Sequence, residues 1–143
     1  MILISHRGNI DGPNHDLENS PDYIETALSA GYDVEVDVWF EKAKWYLGHD
    51  KPEYQVDEKV FSHSQWWCHA KNIEALEGLM KLGARCFWHQ EDDVTLTSDG
   101  YLWTYPGKQL TSKSICVMPE RFKYDDLNCA GICSDYISKY REL

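Results

Sequence analysis

Tyr32-Asp33-Val34-Glu35-Val36-Asp37-Val38-Trp39-Phe40 alternates acidic and β-branched residues before closing on two aromatics. Strand side chains alternate between faces, so this run predicts a strand with Glu35 and Asp37 on one face and Val34, Val36 and Val38 on the other. Two carboxylates side by side on a half-buried face repel each other, and a divalent metal between them is the simplest compensation. Two histidines frame the pair along the chain, His6 in His6-Arg7-Gly8 and His49 in Gly48-His49-Asp50.

Upstream, residues 2–5 read as a short buried strand ending at His6, and residues 8–19, rich in Gly, Asn, Asp and Pro, as a loop. Ser20-Pro21 opens a helix as N-cap and first helical residue. Tyr23, Ile24, Ala27 and Leu28 form its apolar stripe, and Gly31 ends it. Strand, helix and strand with short links predict a parallel βαβ unit.

Downstream, Trp45-Tyr46-Leu47 is a strand that runs into His49, and the polar residues 51–59 cross the surface. Residues 65–70 form another strand. Asn72 caps a helix carrying Ile73, Leu76, Leu79 and Met80, Gly83 stops it, and residues 85–88 return as a strand. Ser98-Asp99-Gly100 between β-formers marks a hairpin. Residues 114–118 and 131–133 are the last strands. No repeat or linker interrupts the chain, which predicts one domain over residues 1–143.

With 143 residues the chain is long enough for one sizeable core. Its net charge of −10 argues against a surface that coats nucleic acid or an anionic membrane. A small phosphorylated substrate remains compatible, because a bound cation reverses the local sign. No signal-peptide core and no run of membrane-spanning length is visible. Five cysteines without paired CxxC spacing read as reduced, mostly buried thiols, which points to the cytoplasm.

Four motifs, His6-Arg7-Gly8, Glu18-Asn19-Ser20, Glu35-Val36-Asp37-Val38 and His49-Asp50, follow one another in the order and at about the spacing found in the glycerophosphodiester phosphodiesterases, which the chain resembles. That family belongs with the barrel-shaped phosphodiesterases related to phosphatidylinositol-specific phospholipase C. Its third strand ends in Glu-x-Lys, with a metal-binding Glu. Here His69-Ala70-Lys71 stands in that place, with Lys71 kept and His69 where the Glu would be. Residues 131–135 are similar to the family's closing strand, and residues 91–120 match poorly.

The resemblance implies an α/β fold of TIM-barrel type. A full (βα)8 barrel needs about 250 residues, whereas eight units here would have about 18 each. The expectation is therefore a shortened or degenerate (β/α) TIM-barrel-like domain with a partly antiparallel far side around the Asp99-Gly100 hairpin. Strands that lack their helices would be exposed and would favour a homodimer.

For chemistry, the resemblance implies a phosphoric diester hydrolase with His6 and His49 as the acid–base pair, since imidazole exchanges protons near neutral pH. It implies a divalent ion on Glu35, Asp37 and His69, Mg or Ca in an all-oxygen site and Mn, Fe or Zn if His69 is a ligand. Arg7 and Lys71 would steady the phosphate of a small phosphodiester. His69 is alternatively a catalytic helper or a histidine bonded beneath the site, Asp50 orients His49 or closes a turn, and His89 ends a strand that can face the site. Two rival readings are a lyase that stops at a cyclic phosphate and a binding module that holds metal and phosphate without turnover.

Overall fold

The computed structural model describes residues 1–143. In chain order its elements are β1 (Ile2–His6), α1 (Pro21–Ser29), β2 (Asp33–Glu41), β3 (Lys44–Leu47), β4 (Tyr54–Val56), β5 (Trp66–Ala70), α2 (Ile73–Lys81), β6 (Cys86–Phe87), β7 (Val94–Leu96), β8 (Leu102–Thr104), β9 (Ser114–Val117) and β10 (Gly131–Ser134). Short 3-10 turns lie at Glu58–Ser62, Pro119–Arg121 and Ile137–Tyr140.

Seven strands run parallel in the order β6, β5, β2, β1, β10, β9, β8. β7 pairs antiparallel with β8, and β3 and β4 form an antiparallel ribbon that grows from the second half of β2. The sheet curls far enough for β6 to touch the β7–β8 end without pairing to it. Phe87 on β6 stacks on Trp103 of β8 with ring centroids 4.6 Å apart, and the Ser98 N–H after β7 donates to the Cys86 carbonyl at 2.8 Å.

This corrects the expected barrel. The fold is a ten-stranded, curled mixed sheet, a half-barrel in outline with two α-helices, and not a helix-rich (β/α) TIM barrel. The cause is chain length between strands: residues 105–113 join β8 to β9 and residues 118–130 join β9 to β10, and neither link builds a helix longer than one 3-10 turn. The antiparallel portion is also redistributed, two of its three strand pairings standing beside β2 rather than on the far side. Residues 51–59 contain β4 and are not merely a surface crossing.

The missing helices leave no open face on β9 and β10. Every residue of both strands is buried, because residues 122–129 and the turn Ile137–Tyr140 pack over them, with Tyr32, Cys116, Ile132 and Ile137 at the centre of that cluster. The chain itself thus covers the strands expected to favour a second copy. The five cysteines are free thiols, four of them buried. No helix is long and apolar enough to cross a membrane.

The period-two reading of β2 holds in space. Val34, Val36 and Val38 pack outward against Ile24 and Ala27 of α1 and Ala75 and Leu79 of α2. Each fully buried side chain of this kind contributes roughly 1.5–3 kcal/mol. Inside the curl, Ile4, Trp67, Phe87, Trp103, Ile115, Val117 and Cys133 form a second core. Strand by strand, the residue two places further on then rises to the carboxyl-end rim: His6 after Ile4, His69 after Trp67, His89 after Phe87, Tyr105 after Trp103, Asp135 after Cys133.

Helix ends follow local chemistry in part. Ser20 occupies the cap of α1 without a side-chain hydrogen bond, while Pro21 supplies the preset first turn. Asn72 does more than expected. Its Oδ1 accepts from the Ala75 and Phe40 N–H groups at 3.2 and 3.1 Å, and its Nδ2 donates to the Phe40 carbonyl at 2.9 Å. It therefore ties α2 to β2 as well as capping it. Asn72→Ala is expected to cost about 1–2 kcal/mol, the upper part of the capping range, read as a lowered urea midpoint. A loss within 0.3 kcal/mol would show that the tie is dispensable.

Candidate active site

β2 lies between β1 and β5, with His6 opposite Glu35 and Asp37 opposite His69 in register. Side chains on the inner face of these three neighbours therefore converge. His69 Nδ1 lies 3.2 Å from Asp37 Oδ1 and 3.7 Å from Glu35 Oε1, and His6 Nε2 lies 3.7 Å from Glu35 Oε2. Ligand atoms of Glu35, Asp37 and His69 all fall within 4.8 Å of one another.

Asp37 is fully buried and is the most heavily supported side chain in the site. Asn19 brackets it, its Nδ2 donating to Asp37 Oδ2 at 2.9 Å while its Oδ1 accepts from the Asp37 N–H at 2.9 Å. Arg7 Nε stands 2.9 Å from the same Oδ2 but off-axis, so it pairs by charge without a hydrogen bond. Lys71 Nζ lies 3.7 Å from Oδ1. Burial alone would push the Asp37 carboxyl up, but His69, Arg7 and Lys71 outweigh it and hold the group well below the usual carboxylate range. Glu35 goes the other way: burial and then repulsion from Asp37 raise it well above its ordinary value.

Backbone strain is concentrated here. Arg7 and Asn19, both bonded to or paired with Asp37, adopt left-handed conformations with φ of 56° and 64°. Gly8 follows with φ 93°, and a Cβ there would sit 2.6 Å from Tyr23 Cδ1, so the turn after His6 requires glycine.

His6 is fixed from behind. Its Nδ1–H donates to Asp135 Oδ1 at 2.7 Å, which leaves Nε2 turned toward Glu35. Asn9 Nδ2 donates both to Asp135 Oδ1 at 2.8 Å and to Glu18 Oε1 at 2.9 Å. Burial lowers the His6 pKa despite Asp135, so the ring is neutral near pH 7. Burial raises and His6 and Asn9 lower the Asp135 carboxyl, with a net downward result.

His49 reaches the site by a route the linear reading did not contain. β3 is an antiparallel extension, not a barrel strand, and it brings the chain back to the rim, where the Gly48 N–H donates to the Asp37 carbonyl at 3.1 Å. Trp39 Nε1 also donates to the Gly48 carbonyl at 2.7 Å. His49 is 46% exposed, with Nδ1 2.7 Å from Asp50 Oδ1.

A cavity of about 520 Å³ joins these groups. His6, Arg7, Glu35, His49, His69 and Lys71 line it, and Asp37 is buried against His69 and Lys71. His89, Gln90, Tyr105, Pro106, Met118 and Arg121 also line it. The structure thus gathers His6, Arg7, Glu35, Asp37, His49, His69 and Lys71 around one cavity, with His89 also in its wall and Asp50 exposed outside it, and it adds Asp135 and Asn9 behind His6, to which no chemical role had been given. The signal for Asp135 was its place at the end of the closing strand that residues 131–135 share with the resembled family, two residues beyond a buried strand position. A smaller depression near Arg85 lies among Phe61, His63 and Ser98, away from this chemistry.

No protein-family model, no curated protein and no solved structure matches the chain.

The donor set fits a divalent cation on the site's own terms. Glu35 Oε2 and Asp37 Oδ1 are buried polar atoms without hydrogen-bond partners. An unpaired buried carboxylate oxygen is costly, and a cation between the two removes that cost.

Proposed function

We propose that the chain is a metal-dependent phosphodiesterase of the glycerophosphodiester type, acting on small phosphodiesters. The observation that carries this reading is one cavity lined by two histidines, a carboxylate–histidine cluster with orphaned oxygens, and two cations, Arg7 and Lys71. Phosphodiester cleavage needs a base, an acid and compensation for phosphoryl charge, and each has a candidate here.

Glu35, Asp37 and His69 would hold the divalent ion, whose positive charge would lower the energy of the phosphoryl oxygens. Arg7 and Lys71 orient the phosphate. His6, kept neutral by burial and aligned by Asp135, takes the proton from a substrate hydroxyl beside the phosphodiester as that oxygen bonds to phosphorus. His49 gives a proton to the departing alkoxide as the second phosphorus–oxygen bond breaks. Water then opens the cyclic phosphate with the proton transfers reversed. The alcohol occupies the cavity space beside Gln90, Tyr105 and Arg121, which the phosphate-binding roles leave unused. The open rim at His49 supports hydrolysis over a lyase outcome, because water has access to it. Free, mostly buried thiols support a cytoplasmic location.

Phosphorus NMR of a glycerophosphodiester, run beside an analogue lacking the vicinal hydroxyl, tests the reading. Conversion of the first to a phosphomonoester, through a transient cyclic phosphate, with little reaction of the second is expected. A stable cyclic product would establish the lyase instead, and cation binding without any product would establish a binding module.

A further inference from the structure

The bond on the far side of His69 decides which atom it offers. His69 Nε2 lies 3.2 Å from the main-chain carbonyl of His89. A carbonyl only accepts, so Nε2 carries the hydrogen and donates it. In the neutral ring the lone pair is then on Nδ1, the atom that faces Asp37 Oδ1 and Glu35 Oε1. The ring cannot readily turn over, because it lies stacked on Phe87 with centroids 5.0 Å apart and planes 11° apart.

Without an ion, a second hydrogen on Nδ1 lets the ring pair with Asp37; a cation takes the place of that hydrogen and accepts the lone pair. A distal ring N–H held by a carbonyl is also how metal-binding histidines are oriented. Two neighbours shape which ion suits the site. Arg7 and Lys71 already offset the Asp37 charge, at 2.9 and 3.7 Å. The site therefore attracts an ion less by net charge than a cage of carboxylates alone would, and more by the bond an imidazole nitrogen can form. Hard ions depend on the first and borderline transition ions gain from the second.

Resting on the reading of Glu35 and Asp37 as cation ligands, we propose that His69 Nδ1 is the third ligand, fixed in that role by the His89 carbonyl. We further infer that the site takes a borderline divalent transition ion (zinc, cobalt, iron or manganese) in preference to magnesium or calcium. The His89 main chain thereby becomes a positioning element for the metal, while its side chain remains on the cavity wall.

Calorimetric titration of the metal-stripped protein with Co²⁺, Zn²⁺, Mg²⁺ and Ca²⁺, followed also by Co²⁺ visible absorption, tests this without any turnover assay. The parent is expected to bind Co²⁺ and Zn²⁺ about 100-fold or more tighter than Mg²⁺ or Ca²⁺. His69→Glu is expected to lose about 10- to 100-fold for Co²⁺ and Zn²⁺ while holding or improving Mg²⁺ and Ca²⁺. Nitrogen-15 NMR of the folded parent is independent of any variant: Zn²⁺ should shift the His69 Nδ1 resonance while Nε2 keeps its proton. Mg²⁺ or Ca²⁺ binding as tight as Co²⁺, or zinc bound with the Nδ1 resonance unmoved, would overturn the inference and leave the cation reading standing. A parent that binds none of the four ions would overturn the reading of Glu35 and Asp37 itself.

Discussion

Alanine at His6 is expected to lower turnover of a glycerophosphodiester by about 10²- to 10⁴-fold, the range that a positioned general acid or base supplies. The same loss is expected for His49→Ala, and the two variants differ instructively in everything else. His49 is half-exposed at the rim, so its removal should leave stability within about 0.5 kcal/mol of the parent. Added imidazole, entering an open cavity, should restore part of its activity. His6 is buried against Asp135 and Asn9, so its removal should cost stability as well, and imidazole should rescue it poorly. Cation binding measured by calorimetry should persist in both, because neither is a ligand. Parent-like turnover in either variant would remove it from the acid–base pair.

Asp37→Ala carries the largest expected cost to the fold. The substitution strands Asn19, a residue 1% exposed, and leaves the Arg7 guanidinium and Lys71 ammonium without their shared carboxylate. Breaking a buried charge pair on one side typically costs about 3–5 kcal/mol. Urea unfolding should show it directly, and a loss below about 1 kcal/mol would refute the role given to this carboxylate. The pH dependence follows from the depressed folded-state value. An unfolded aspartate titrates near 3.9. The stabilisation from Asp37 is therefore complete above about pH 4 and disappears as pH falls from there through the lower folded-state value. Asp37→Asn keeps the shape but not the charge, so its stability curve should be flatter than the parent's below about pH 4. Asp135 and Glu18 are also held low and will titrate in the same window in both proteins, which makes the difference between the curves the quantity to read.

The parts of the site legible in the sequence were those carried by strand periodicity. Alternation along residues 33–38 needs no knowledge of partners, so the common face of Glu35 and Asp37 could be read directly, and the same period puts His69 of β5 on one face with Lys71 just past the strand's end. The hairpin at Asp99-Gly100 was legible for a similar reason, since Gly100 takes the positive φ that the turn demands. Long-range pairing was not legible. Nothing local distinguishes a β3 that joins a barrel from one that doubles back on β2, yet that choice is what carries His49 to the rim. Asp135 and Asn9 are single polar residues whose importance exists only once β10 lies beside β1. The absent helices could be anticipated from length, but not that irregular chain would cover β9 and β10 in their place.

The inner face sets a common reading frame for folding and chemistry. Ile4 and His6, Trp67 and His69, Phe87 and His89, Trp103 and Tyr105, and Cys133 and Asp135 are each two residues apart, so the plug of apolar side chains and the ring of reactive ones are written in the same phase of each strand. A slip of one residue in any of these strands would turn the reactive group outward and expel its apolar companion together. Misregistered strands would therefore lose their core packing wherever they lost a site residue, so the folding of the apolar plug proofreads the placement of His6, His69 and His89.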